Sequence, residues 1–283
     1  MQFVTSISEM QQLSDKIRSQ GTTIAVVPTM GYLHEGHLSL IRLAKQNSDF
    51  VIVTIFVNPT QFAPNEDFER YPRDINRDLA LCRTEPVDVV FAPETSAMYN
   101  SNFLTFVNVE KITEILEGKF RPSHFRGVAT VVAKLFNITK PHIAIFGQKD
   151  AQQAIVIKKM VKDLNYDIKI IIGPTVREND GLAMSSRNVY LKDDERKDAA
   201  VLYQSLKFAE SQILNGETDL QKIKSDMEKI ILSKPNFTID YISFNDAETL
   251  DDLSKANINR TILISLAARI GYVRLIDNIL VKK

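Results

Sequence analysis

The feature that most constrains the fold is an alternation, early in the chain, between short apolar runs and longer stretches of helical periodicity. TIAVVP at 23–28 is followed by HLSLIRLAKQNS at 37–48 and then by FVIVTIFVNP at 50–59. Continuous apolar runs are typical of strands buried on both faces, as in a parallel sheet covered by helices. The pattern therefore predicts an α/β fold with a doubly wound, Rossmann-like parallel sheet.

The alternation continues to about residue 174 and then changes. Further strand-type runs lie at 87–93, 141–147 and 166–174, with helical stretches at about 126–139 and 150–164. After them come a polar loop to about 192, charged helical stretches at about 193–213 and 217–233, and strand-type runs at 237–244, 260–270 and 272–281. We therefore predict a Rossmann-like domain over residues 1–175 and a smaller α+β C-terminal domain over 176–283.

Composition excludes several classes of function. Lys plus Arg and Asp plus Glu both number 35 among the 283 residues, so no global charge draws the chain to nucleic acid or to an anionic membrane. The single Cys82 excludes an intramolecular disulfide. No apolar run approaches the roughly 20 residues of a membrane span, and the N-terminal segment MQFVTSISEM is unlike a secretory leader. We expect a cytoplasmic protein.

The most informative segment, PTMGYLHEGH at 28–37, lies where the first predicted strand ends and a helix begins. Ligands bind at this edge of a doubly wound sheet, and a helix N-terminus there favours phosphate. Gly31 and Gly36 would let the backbone approach a ligand, while His34 and His37 would share one face of the first turn. They could donate hydrogen bonds to phosphate oxygens. Histidines that only cap the helix are the structural alternative.

A metal site is a second reading of His-Glu-Gly-His. Zinc-binding helices of the H-E-x-x-H type separate their histidines by four positions, whereas His34 and His37 are three apart. No cysteine or third histidine is nearby in sequence. We predict no metal held by the protein, and a Mg²⁺ carried in by a phosphate ligand would need few protein ligands.

Other predicted strand ends also carry polar groups. FVNPTQF at 56–62 offers the amides of Asn58 and Gln61 to a small hydroxylated acid, although Asn-Pro is also an ordinary turn. In FGQKDAQQ at 146–153, Lys149 is suited to phosphate oxygens, and Asp150 suits a ribose hydroxyl or a helix cap.

Two loops complete the set. GKFRPSHFRGV at 118–128 is either an anion site before a helix or a solvated basic loop. RENDGLAMSSRN at 177–188 has hydroxyls and an arginine that could close over a triphosphate, or it is simply a polar linker. With Gly181 as a possible hinge, we expect this second loop to become ordered when nucleotide binds.

Together these segments resemble the pantothenate synthetase family of the nucleotidyltransferase superfamily with the HIGH-type motif. The resemblance covers about residues 23–192 and fades after about 195. It implies an ATP-dependent ligase that joins pantoate to β-alanine through a pantoyl-adenylate, with release of AMP and pyrophosphate. It also implies Mg²⁺ with ATP as substrate, a homodimer, and a C-terminal domain that acts as a lid over the ATP- and pantoate-binding domain.

Carried over by position, the resemblance implies the following site residues. The ATP-binding residues are Met30, Gly31, Tyr32, Leu33, His34, Glu35, Gly36, His37, Gly147, Gln148, Lys149, Asp150, Val176, Met184, Ser185, Ser186 and Arg187. The catalytic residues are His37, His34 and Lys149; pantoate would be held by Asn58, Gln61, Arg121, His124 and Gln153, and β-alanine by Gln61 and Tyr71. His142 and Gln148 stand where acidic residues are common in the family.

Three alternatives remain at this point. An adenylyltransferase without an amide-forming step would share the same segments. A non-catalytic nucleotide-binding module would not need both histidines, the lysine and the Ser-Ser-Arg sequence. An NAD oxidoreductase is disfavoured because no G-x-G-x-x-G follows the first strand.

Overall fold

The computed structural model describes residues 1–64, 66–257 and 260–282. They form two compact units: the first comprises Met1–Gln148 and Val156–Pro174, and the second comprises Lys149–Ile155 and Thr175–Lys283. The chain passes from one to the other between Pro174 and Thr175, next to the predicted division. The grouping of Lys149–Ile155 with the second unit is not visible in the sequence pattern.

In the described part of the chain, the first unit contains a sheet of six parallel strands. They are β1 (Gln2–Val4), β2 (Ile24–Thr29), β3 (Phe50–Ile55), β4 (Val89–Phe91), β5 (Ile143–Gly147) and β6 (Lys169–Gly173). Their spatial order is β1-β4-β3-β2-β5-β6, and all pairs are parallel. The predicted doubly wound sheet is confirmed. The strand order reverses at β2, which is the switch point where ligands bind in such sheets.

Helices cover both faces of this sheet. They are α1 (Ile7–Ser19), α2 (Glu35–Asn47), α3 (Ile75–Arg83), α4 (Thr95–Met98), α5 (Glu117–Phe120), α6 (His124–Thr139) and α7 (Ala151–Asp163), with 3-10 helices at Pro59–Gln61 and Gln148–Asp150. Strand β2 shows why its sequence is continuously apolar. Ile24 and Val26 pack in one buried cluster with residues of α1 and α6, whereas Ala25 and Val27 pack in another with residues of α2 and α3.

The second unit is the predicted smaller α+β domain. Its described residues form α8 (Asp193–Asp198), α9 (Val201–Leu214), α10 (Leu220–Leu232), a 3-10 helix at Ser186–Tyr190, and the antiparallel strands β7 (Phe237–Asp246), β8 (Ile262–Ile270) and β9 (Val273–Val281). The single helix predicted over 193–213 is two helices. The charged α8 has no buried residue, while α9 buries one face in the core of this unit.

Five strands and α-helices of the first unit were not predicted: β1, α1, α3 and the four-residue helices α4 and α5. Strand β1 has three residues at the sheet edge, too few to show a period. Helix α1 has a mostly polar sequence, and α3 has only nine residues and buries the polar Asp78.

Across residues 1–64, 66–257 and 260–282, no helix has the length and apolar character needed to cross a membrane.

Candidate active site

The first unit brings three of the predicted segments to the carboxyl ends of neighbouring strands. The 30–37 segment follows β2, the 58–61 segment follows β3, and Gly147 ends β5. Because β2 pairs in parallel with both β3 and β5, these ends share one edge of the sheet. This part of the predicted site is therefore assembled at the switch point.

The loop after β2 is held by hydrogen bonds from both sides. Thr29 Oγ1 donates to the carbonyl of Thr54 at 2.7 Å and accepts from the N–H of Gly31 at 3.2 Å. The N–H groups of Tyr32 and Leu33 donate to the carboxylate of Asp78, each at 2.7 Å. The Leu33 side chain is fully buried. The predicted ATP contacts of Tyr32 and Leu33 therefore cannot use these two N–H groups while Asp78 accepts them.

His34 and His37 adopt one defined tautomer. Helix α2 begins at Glu35 with His34 as its N-cap, and His34 Nδ1 accepts from the N–H of Gly36 at 3.2 Å. His37 Nδ1 accepts from the N–H of His34, also at 3.2 Å, and the ring centroids are 4.1 Å apart. A neutral imidazole that accepts at Nδ1 carries its proton on Nε2. The histidines do cap the helix, and this capping makes each Nε2–H a donor.

Gln61 is the buried centre of the predicted acid-binding segment. Its side chain is 7% exposed; its Oε1 accepts from Asn58 Nδ2 at 3.1 Å, and its Nε2 donates to Met30 Sδ at 3.0 Å. Asn58 is held in turn by the Gly127 carbonyl and the Tyr99 hydroxyl. A thioether is a weak acceptor. The Gln61 amide is therefore fixed in place. Its Nε2–H group would form a stronger hydrogen bond with a substrate oxygen than it does with the Met30 sulfur.

Arg121 and His124 lie beside Gln61 but already have strong partners. The Arg121 guanidinium forms a bidentate pair with Glu66, both distances being 2.7 Å. His124 Nδ1 is 3.0 Å from the Gln61 carbonyl and its Nε2 is 3.3 Å from Arg121 Nη1, so Nδ1 carries the proton. Burial and the neighbouring Arg121 charge lower the pKa of His124 to about 4. These contacts support the Gln61 backbone, and direct binding of pantoate by either residue stays a prediction.

The other predicted site residues of the first unit have different surroundings. The Glu35 carboxylate pairs with Arg42, and its contact with ATP stays a prediction. The Tyr71 ring packs edge-on against Phe62, with 6.0 Å between centroids. At Gly147 a Cβ would meet only Leu40, at an ordinary 3.7 Å, so the protein itself leaves space there. Gln148 follows in the 3-10 helix, half-buried.

The second unit carries Lys149, Asp150 and Gln153 at the start of α7. Lys149 Nζ is 3.6 Å from Asp150 Oδ1, and the Lys149 side chain is 21% exposed. The Lys149 carbonyl accepts from Asn278 Nδ2 on β9 at 2.8 Å. Gln153 is half-buried. The lysine is thus anchored through its backbone, while its ammonium group lies beyond hydrogen-bond distance of the Asp150 carboxylate.

The loop at 177–188 is anchored at its base. Arg177 Nη1 and Nη2 donate to the buried Asp277 carboxylate at 2.6 and 2.9 Å, and Nη1 also donates to the Gly181 carbonyl. The N–H of Met184 donates to the carbonyl of Val176 at 3.0 Å. Gly181 packs against the Tyr203 ring, so the structure shows it in a tight turn and not as an open hinge.

Beyond this turn, the hydroxyl-rich part of the loop begins a 3-10 helix. Ser185 Oγ accepts from the N–H of Arg187 at 3.3 Å as its N-cap, and Ser186 is buried. The expected ordering of the 177–188 loop on nucleotide binding remains a prediction.

Two residues of this framework were missed from the sequence. Asp78 lies in an amphipathic helix and Asp277 in a strand, and neither position carries a motif. Within the described residues, no group of three or more His, Cys, Asp or Glu side chains could hold a metal ion.

Comparison with known proteins places the chain in a family. It matches the family described as pantoate-beta-alanine ligase over residues 2–280. It is 54% identical over 282 residues to a pantothenate synthetase of Acetivibrio thermocellus, with 100% of both chains covered. It is 57% identical over 274 residues to that of Thermoanaerobacter sp. strain X514, covering 97% of this chain and 96% of the relative.

Solved structures agree. The pantothenate synthetase from Thermus thermophilus superposes with a TM-score of 0.94 at 42% identity, covering 100% of each chain. The pantoate-beta-alanine ligase from Francisella tularensis, solved with beta-gamma ATP and beta-alanine, has a TM-score of 0.80 at 38% identity, covering 99% of this chain and 97% of the other. The resemblance therefore extends through the C-terminal region, where the sequence motifs fade. The chain belongs to the pantoate-beta-alanine ligase family.

Proposed function

We propose that this ligase condenses pantoate with β-alanine in two steps through a pantoyl-adenylate. The pantoate carboxylate attacks the α-phosphorus of ATP and pyrophosphate leaves. The β-alanine amine then attacks the acyl carbonyl, forming the amide and releasing AMP. No covalent bond to the protein is required, so catalysis rests on positioning and on stabilisation of charge.

One contact carries this proposal. Gln61 Nε2 is 3.0 Å from Met30 Sδ, so the amide predicted for the acid adjoins the segment predicted for ATP. Adenylate formation needs a carboxylate oxygen within reach of the α-phosphorus. An acid bound at Gln61 beside the loop that precedes His34 meets that requirement.

The donor set supports phosphate as the partner. In the first unit, His34 and His37 each carry a proton on Nε2. The second unit carries groups that can donate hydrogen bonds to phosphate oxygens: the Lys149 ammonium, the Ser185 and Ser186 hydroxyls and the Arg187 guanidinium. Mg²⁺ arrives as part of the MgATP substrate and is ligated mainly by phosphate oxygens.

Gly147 in the first unit and Asp150 in the second are further residues that we predict to contact the nucleotide. The space beside Gly147 would let a ligand approach the backbone closely, and Asp150 would accept from a ribose hydroxyl. The lid action of the second unit, a homodimeric assembly and a cytoplasmic location remain predictions from the family resemblance.

The direct test is mass spectrometry of the products from MgATP, pantoate and β-alanine, with each omitted in turn. We expect pantothenate, AMP and pyrophosphate with all three, and pantoate-dependent exchange of pyrophosphate into ATP without β-alanine. ADP as product, or exchange that does not need pantoate, contradicts the mechanism. AMP release that does not depend on an amine indicates an adenylyltransferase instead.

The histidine assignment is tested separately. His37→Ala should slow adenylate formation by roughly 100-fold, on the usual scale for loss of a preorganised donor. The matched control is His142→Asn, because His142 Nδ1 accepts from the N–H of Ile24 at the amino end of β2, remote from the strand ends that carry the site. Normal turnover of folded His37→Ala would show that this residue is not catalytic.

A further inference from the structure

Asp78 is a buried carboxylate that no motif marks. It lies on α3 and is 1% exposed. Its Oδ2 accepts from the N–H of Tyr32 and its Oδ1 from the N–H of Leu33, both at 2.7 Å. Hydrogen bonds of this length to an ionised acceptor are among the strong ones in proteins. Both oxygens are thus directed at the loop that precedes His34.

The loop conformation explains why a carboxylate fits there. Gly31 and Tyr32 are consecutive residues with positive φ, +81° and +50°. In this turn the N–H groups of Tyr32 and Leu33 both point to the Asp78 carboxylate. For Tyr32 this conformation is unfavourable by about 1–2 kcal/mol. The two hydrogen bonds to the Asp78 carboxylate offset that strain.

The packing leaves no slack between the carboxylate and the loop. A Cβ built on Gly31 would lie 2.9 Å from Asp78 Oδ2 and 3.0 Å from Ile55 Cγ2. Arg77 contacts the same region from outside, with Nη1 3.6 Å from Asp78 Oδ1 and its guanidinium 4.7 Å from the Tyr32 ring centroid. Burial raises the pKa of Asp78, and the N–H groups of Leu33 and Tyr32 oppose that rise.

The contact is one residue away from the histidine pair. The N–H of His34 donates to His37 Nδ1, and the direction of that N–H is set by the peptide that links residues 33 and 34. A shift of the backbone at Leu33 therefore turns both the His34 cap and the ring that it orients. The Asp78 carboxylate is the anchor of this arrangement on the α3 side.

We infer that Asp78 is a positioning residue for the reaction: it holds the Tyr32–Leu33 backbone so that the two histidine rings present their Nε2–H groups to ATP. This inference rests on the proposed role of His34 and His37. Asp78 acts from behind the loop, through backbone N–H groups, and does not touch the substrate. The Tyr32 and Leu33 N–H groups are therefore already hydrogen-bonded to Asp78 before any nucleotide binds.

The variant Asp78→Asn tests the inference, because it keeps the shape but turns an NH₂ group towards one of the two N–H donors. We expect kcat/KM for ATP to fall by about 10- to 100-fold, the range in which small misplacements of reacting groups act. We also expect hydrogen exchange at the Tyr32 and Leu33 amides to accelerate, while direct binding of pantoate changes little.

Asp74→Ala is the matched control. Asp74 caps the same helix by accepting from the N–H of Arg77 at 3.0 Å, and its cap lies one turn before Asp78. This variant weakens α3 without removing the loop contact. If Asp74→Ala lowered kcat/KM as much as Asp78→Asn at equal residual stability, the role of Asp78 would be structural only and the inference would be wrong.

A measurement on the unaltered protein covers the case in which Asp78→Asn does not fold. Without nucleotide, the Tyr32 and Leu33 amides should exchange as slowly as those of β2. Rapid exchange there overturns the inference. This outcome is separable from failure of the proposed function, which would appear as absence of AMP and pantothenate in the unaltered enzyme.

Discussion

In the first unit the buried Asp78 carboxylate accepts hydrogen bonds from two backbone N–H groups. In the second unit the buried Asp277 carboxylate accepts hydrogen bonds from the Arg177 guanidinium. Both carboxylates support a loop that carries predicted ATP-binding residues. Burial raises the pKa of each, opposed by backbone N–H groups at Asp78 and by the Arg177 charge at Asp277. At Asp78 the hydrogen-bond donors are neutral main-chain groups, with the Arg77 guanidinium 3.6 Å away; at Asp277 the main donor is a guanidinium, joined by the N–H of Asn278.

This difference decides what each contact contributes. A charge buried with its counter-charge costs desolvation that only the pair offsets, so loss of one member leaves the other uncompensated. Replacing the Asp78 carboxylate leaves no second buried charge uncompensated, because the nearest cation, Arg77, has a side chain that is 42% exposed, while the two N–H contacts fix main-chain direction. We therefore expect Asp277 to dominate stability and Asp78 to dominate catalytic geometry.

The largest effect is expected from breaking the charged pair. Asp277→Asn should lower the free energy of unfolding by about 3–5 kcal/mol, because Arg177, with a side chain only 15% exposed, loses its counter-charge. Asp78→Asn should cost about 1–2 kcal/mol, the scale of weakened hydrogen bonds. Urea unfolding of both variants gives the comparison.

A double variant checks the cause. Replacing both members, Arg177→Met with Asp277→Leu, should be less destabilising than Asp277→Asn alone, because no unpaired charge remains. If the double variant is the least stable of the three, the pair stabilises by more than charge compensation and the comparison with Asp78 fails.

The next effect concerns the glycine beside each contact. Gly181, at φ +94°, would place a Cβ 2.2 Å from Tyr203 Cδ1, and Gly31 would place one 2.9 Å from Asp78 Oδ2. We expect Gly181→Ala to cost about 2–3 kcal/mol and Gly31→Ala about 1–2 kcal/mol in thermal or urea unfolding. The larger cost follows from the closer approach at Gly181, 2.2 Å against 2.9 Å.

Each unit offers a glycine control. Gly216 and Gly21 have positive φ, and a Cβ on either would meet nothing within 4 Å. Gly216→Ala and Gly21→Ala therefore report backbone strain alone. If these two variants lower the free energy of unfolding as much as Gly181→Ala and Gly31→Ala do, the close packing at Gly181 and Gly31 does not contribute to the loss of stability.

The smallest effect is a difference in response to acid. All four histidines of the sequence, His34, His37, His124 and His142, fall in the first unit. Because the pKa of His124 is lowered to about 4 in the folded state, its neutral form stabilises the protein above about pH 6.5, and this contribution is lost as the pH falls towards 4. Burial lowers the pKa of His142 in the same direction.

We therefore expect the first unit to lose about 2 kcal/mol of stability between pH 7 and pH 5 through His124. Segment-resolved hydrogen exchange, corrected for intrinsic rates, measures this loss in each unit. His124→Gln, which keeps an N–H for the Gln61 carbonyl, should flatten the response. Two results would contradict the role of His124: an equal loss of stability at low pH in the second unit, or a loss in the first unit that His124→Gln does not reduce.

The sequence was most informative where structure is local. The continuous apolar runs predicted β2 and β3 because both faces of those strands are covered by helices. The three-residue β1 was missed because its place at the sheet edge depends on pairing with β4, more than 80 residues later. Register and pairing over such separations leave no periodic signal.

Within the site, motif spacing predicted which side chains are functional but not what they contact. The sequence predicted His34, His37 and Gln61 as functional residues. It did not reveal that the histidines protonate at Nε2, that Arg121 is paired with Glu66, or that Asp78 supports the loop.

By itself, then, the sequence determined the fold class, the order of the strand-end segments and the family, because these follow from hydrophobic period and from residue types at short spacing. The tertiary structure alone decided which polar groups face each other. Asp78 is 46 residues from Tyr32, and Asp277 is 100 residues from Arg177. Contacts at that separation form only when the chain has packed, since burial then makes an unpaired charge costly and favours the paired arrangement.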